Sequence, residues 1–102
     1  MAITKNYLSD NEFCRVTFTL PAALSNTVKT ASVAGDFNNW DTASHPMKQR
    51  KNGQFYLSMK LKSNNEYQFR YLLDDTNWET DPKADAVVPA PFAGQYNSVV
   101  SV

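Results

Sequence analysis

Three pairs of carboxylates lie close together along this chain: Asp36 with Asp41, Asp74 with Asp75, and Glu79 with Asp81. Two carboxyl groups on either side of a glycosidic bond can serve as general acid and as nucleophile or base. Each pair, however, stands in a turn-rich stretch, where Asp supports backbone geometry through local side-chain bonds. His45 is the only histidine and precedes Pro46, so a Ser-His-Asp triad would rest on a loop residue. One His and one Cys on different elements are too few ligands for a metal. No Gly-rich phosphate loop is present. These residue types argue against catalysis, and no cofactor is expected.

Binding chemistry is better supplied. The chain holds six Phe, five Tyr and two Trp against three Gly. Most of these rings must be core, but Trp40 and Trp78 both lie at or beyond turns. Trp40 sits in Gly35-Asp36-Phe37-Asn38-Asn39-Trp40-Asp41, a polar turn that follows the short apolar run Ser32-Val33-Ala34. A tryptophan there either folds back as a plug or stands out as a flat apolar platform. A pair of exposed indoles suits sugars, whose pyranose face is apolar while the rim hydroxyls need polar partners. Arg70, eight residues before Trp78, carries a rigid five-donor fork suited to neighbouring hydroxyls. The residues alone leave open a plainer reading, in which one indole caps the core edge and the other is incidental.

The elements that must position these residues read as strands. Residues 1–12 are an arm or a weak first strand. From Phe13 to Leu20 the apolar set Cys14, Val16, Phe18 and Leu20 alternates with a more polar one, the signature of a half-buried strand. Cys14 is thereby a buried thiol, and Pro21 ends the strand. Ala22–Asn26 forms a short turn, and Val28–Ala34 a second strand. Met47–Arg50 is a short third strand bounded by Pro46 and by Asn52-Gly53, a hairpin turn signal. Phe55, Leu57, Met59 and Leu61 mark a fourth strand; Tyr67, Phe69, Tyr71 and Leu73 mark a fifth, with Gln68 and Arg70 outward. Pro82, Pro89 and Pro91 keep Glu79–Gln95 irregular, apart from a brief edge pairing at Ala86–Val88. Asn97–Val102 closes the chain. The expected fold is an all-β antiparallel sandwich of about seven to eight strands, one domain over residues 1–102.

The 10 basic and 10 acidic residues give zero net charge, and no charge run suggests nucleic acid or an anionic membrane. The N-terminus lacks the apolar core of a signal peptide, and no segment is long enough to span a bilayer. A lone cysteine cannot form an internal disulfide. A cytoplasmic location is expected.

Gly35-Asp36-Phe37-Asn38-Asn39-Trp40, then Tyr67-Gln68-Phe69-Arg70-Tyr71-Leu72-Leu73-Asp74, then Trp78, Asp81-Pro82 and Tyr96-Asn97-Ser98-Val99-Val100 resemble the family 48 carbohydrate-binding modules. These include the glycogen-binding domain of the AMP-activated protein kinase β subunit and the N-terminal domains of isoamylases and branching enzymes. The resemblance runs from about Val16 to Val102 and implies an early-set immunoglobulin-like sandwich that binds α-1,4-glucans such as glycogen or starch. It matches Trp40 and Trp78 to the two sugar-stacking tryptophans, Arg70 to a basic sugar contact, and Asn97 to an asparagine that bonds sugar hydroxyls. Alone, Asn97 reads as a turn residue and Arg70 as a solvated strand residue. The chain departs from the kinase domain at Ala93, near a leucine that threads the sugar ring, at Gln95, a threonine there, and in a Asp74–Asn77 turn longer by one residue.

The expected function is therefore non-catalytic α-glucan binding by a free-standing module, which tethers an amylolytic or glycogen-metabolising enzyme to the polymer. The alternative is a protein-interaction or scaffold domain with no sugar binding, using its edge strands and the Pro-rich 82–91 segment.

Overall fold

A computed structural model of the chain describes residues 3–91 and 94–102. Among the described residues nine strands form two antiparallel sheets: β1 (Ile3–Tyr7), β2 (Phe13–Thr19), β3 (Ala31–Gly35), β4 (Lys48–Gln49), β5 (Phe55–Lys62), β6 (Glu66–Leu73), β7 (Asn77–Glu79), β8 (Ala86–Pro89) and β9 (Tyr96–Ser101). The first sheet runs β1-β2-β5-β4. The second runs β3-β6-β9-β8, with β7 paired to the outer end of β6 beside β9. One short helix, α1 (Ala22–Ser25), links the sheets. The antiparallel sandwich expected from alternation is the observed fold, and it is consistent with the immunoglobulin-like form that the resemblance implies.

The alternating sets meet in the middle. Cys14, Val16, Phe18 and Leu20 are fully buried, opposite Val33, Phe69, Tyr71 and Val100. Phe18 packs edge-on against Phe69, with centroids 4.9 Å apart. Asp81 is also fully buried; its carboxylate accepts from the Tyr71 hydroxyl at 2.6 Å and from the Lys83 N–H, and its own N–H donates to Ser98 Oγ. Burial first, then the Asp81 charge and this bond, hold the Tyr71 phenol well above its ordinary pKa.

Some boundaries differ from the sequence reading. β3 begins at Ala31 rather than Val28, because the Lys29 and Thr30 N–H groups donate to the Asp74 side chain instead of a strand partner. Residues 1–12 do hold a strand, β1, in register with β2 from Ile3↔Phe18 to Tyr7↔Cys14. Trp78 does follow the turn at residues 74–76, and it stands at the centre of a strand the sequence did not reveal, β7, opposite Leu72. The edge pairing at Ala86–Val88 extends to Pro89 on β9.

Candidate functional site

The turn after β3 is built around a close approach. A Cβ on Gly35 would stand 2.4 Å from the Gln68 carbonyl oxygen and 2.8 Å from Phe69 Cβ, so only glycine lets β3 lie this near β6. Asp36–Asn38 then make one 3₁₀ turn. Asn38 ties it down: its Oδ1 accepts from the Gly35 N–H, and its amide donates to the Val33 carbonyl and to His45 Nδ1. Phe37 folds inward against Phe18 and Tyr67. Of the two rings in this turn, the phenylalanine is the plug.

Trp40 is the platform. It and Asn39 both adopt left-handed backbone, at φ 59° and 55°, a conformation tolerated by Asn but unusual for a bulky side chain. Two bonds fix it there: the Trp40 N–H donates to the Gly35 carbonyl at 2.9 Å, and the indole Nε1–H to Asp36 Oδ1 at 3.1 Å. Asp36 Oδ2 accepts from the Gln68 N–H at 2.8 Å. One carboxylate thus fastens the indole to β6.

Trp40, Arg70, Trp78 and Asn97 all line one groove of about 670 Å3 on the outer face of the second sheet. The Arg70 guanidinium lies 5.7 Å from the Trp40 ring centroid and 4.9 Å from that of Trp78, a cation between two indoles. Its Nη1 donates to Gln95 Oε1 at 2.9 Å, while its buried Nε has no partner among the described residues. Asn97 is buried at the floor; its amide donates to Gln68 Oε1 at 3.0 Å, and its Oδ1 has no partner among the described residues. A second hollow of about 300 Å3 shares Arg70, Trp78 and Gln95 and adds the exposed Tyr96. Trp78, 40% exposed, is the wall between them.

The sequence-level model of carbohydrate-binding module 48, the isoamylase N-terminal domain, matches residues 8–86. The chain belongs to this carbohydrate-binding family. The module is a non-catalytic one, and its partner is a glycan. The matched segment includes Trp40, Arg70 and Trp78 but stops before Gln95 and Asn97. No curated protein matches the chain.

Four of the six carboxylates in the candidate pairs, Asp36, Asp41, Asp74 and Asp81, are engaged in the architecture of the module. Asp41 accepts from the Ala43 N–H and the Ser44 hydroxyl, which together hold its pKa below the ordinary value. Asp74 accepts from Lys29 and Thr30, Asp36 holds Trp40, and Asp81 is buried with Tyr71. His45 is bonded to Asn38. Ala93 lies outside the described residues. Sequence reasoning did not name Asp36, Gln68, Gln95 or Tyr96 as site residues. Gln68 was within reach, since it stands two positions before Arg70 on the same strand face.

Proposed function

We propose that the groove binds α-1,4-glucans of the glycogen or starch type, holding glucose faces against Trp40 and Trp78. The observation that carries this reading is the guanidinium of Arg70 set between two indoles above unpartnered polar atoms. Among the described residues Arg70 Nε is a buried donor without an acceptor, and Asn97 Oδ1 a buried acceptor without a donor. Such groups are costly unless a ligand completes them, and a sugar hydroxyl can accept from one and donate to the other. The indoles supply apolar area for the pyranose face.

The choice of an α-linked chain rests on shape. Both indoles gather around one cation in a concave groove, which suits a curved α-1,4 chain better than a flat β-1,4 ribbon. The neighbouring hollow beside Trp78 and Tyr96 offers room for a following glucose. Binding at so open a site is weak for a single chain, because little area is buried against the cost of association. On a polymer with many chain ends, avidity compensates and brings an attached or associated amylolytic or glycogen-metabolising enzyme to its substrate. Retention on a glycogen column tests this. The wild-type module is expected to be retarded and eluted by maltoheptaose, and the double change Trp40→Ala with Trp78→Ala to run unretarded. Equal retention of both would refute the reading.

A further inference from the structure

Folding separates charges that the sequence leaves evenly mixed. The strands of the first sheet contain Lys5, Arg15, Lys48, Lys60 and Lys62 but no Asp or Glu. Lys5 pairs with Asp85 across to the second sheet at 2.7 Å, the one ion pair among the described residues. The other four lie on the solvent face: Arg15, Lys60 and Lys62 alternate with buried core residues, and Lys48 stands opposite outward-facing Tyr56. Arg50 joins them, its guanidinium 4.2 Å above the Tyr56 ring. Arg15 is directly opposite Lys60 in the β2–β5 register, a like-charge pairing that is unfavourable in itself. At the centre of the face Thr17 and Ser58 share a 2.7 Å hydroxyl bond.

We propose that this face docks an acidic surface of a partner protein. Five cations without a carboxylate among them, including a directly opposed pair, form a surface whose charge is completed only by an anionic partner. Arg15, Arg50, Phe13 and Tyr56 on this face are of the residue types enriched in protein interfaces. Single-stranded nucleic acid is less well served, because it needs bare rings for base stacking. Here Phe13 is covered by the Lys60 ammonium at 4.5 Å and Tyr56 by Arg50. The face lies across the sandwich from the sugar groove, so both can be occupied together. The proposal stands independently of which sugar the groove takes.

The test uses the full chain and a short fluorescein-labelled poly-glutamate peptide, followed by anisotropy at physiological salt. Saturable binding is expected, unchanged by maltoheptaose and weakened at least about tenfold by Arg15→Glu with Lys60→Glu. Lys29→Glu with Lys83→Glu makes the same change in net charge away from the face and is expected to weaken binding by less than about twofold. Thermal melting checks that each variant is folded. Should the first pair fail to fold, Lys48→Glu with Lys62→Glu takes its place. No binding by the wild type, or equal weakening by face and control variants, overturns the proposal. So does tighter binding of oligothymidine that the same face variants abolish, which would make this a nucleic-acid surface.

Discussion

Asp36 shows how one side chain can decide whether a platform exists. Its two oxygens hold the Trp40 indole and the Gln68 backbone, so these bonds help to keep the half-buried, left-handed Trp40 in place. Replacing Asp36 with Ala removes both, each worth about 1 kcal/mol. The expected result is a module that still folds but binds glucan at least about fivefold more weakly, measured by calorimetry alongside the melting temperature. Tyr71 makes a different residue-scale prediction. Its phenol ionises well above 10.0 in the folded state, chiefly because it is buried and then because Asp81 lies beside it. Above the unfolded pKa the unfolded chain releases a proton that the folded chain retains, so stability falls as pH rises. Denaturant unfolding should show this loss beginning near pH 10, and Tyr71→Phe should flatten the slope. That variant should also be less stable at neutral pH by about 1–3 kcal/mol, since Asp81 loses a buried donor.

At the scale of elements, the register of β3 against β6 places the whole site. Gly35→Ala would press a Cβ onto the Gln68 carbonyl and Phe69, costing about 1–3 kcal/mol of stability by overpacking. Because the turn begins there, it should also lower glucan affinity although Gly35 touches no ligand. A melting curve and a titration on the same sample check both effects. The elements legible in the sequence are those with sustained alternation: Phe13–Leu20, Phe55–Leu61 and Tyr67–Leu73 place their apolar sets in the core because period two leaves no other arrangement. What alternation could not deliver is short. β7 has three residues and a single apolar side chain, so Trp78 gives no periodic signal and is ordered by pairing with Leu72. Val28–Thr30 reads as strand, yet a side chain forty-odd positions away takes its N–H groups. Gln95 and Tyr96 join the site only through the tertiary fold.

The whole molecule is two-faced. One outer sheet face carries the indole groove, and the other carries the cations. The zero net charge conceals this, since the cations of the first sheet are spread over strands far apart in sequence and form no run. Trp40 and Trp78 are proposed here as the platforms of an α-glucan site. Tryptophan fluorescence titrated with maltoheptaose, with cellohexaose as control, tests it most directly, because the chain contains two indoles and both lie at the groove. A saturable change with maltoheptaose alone is predicted, halved or more in either single Trp→Ala variant. An equal response to cellohexaose, or none to either sugar from a folded sample, would contradict it.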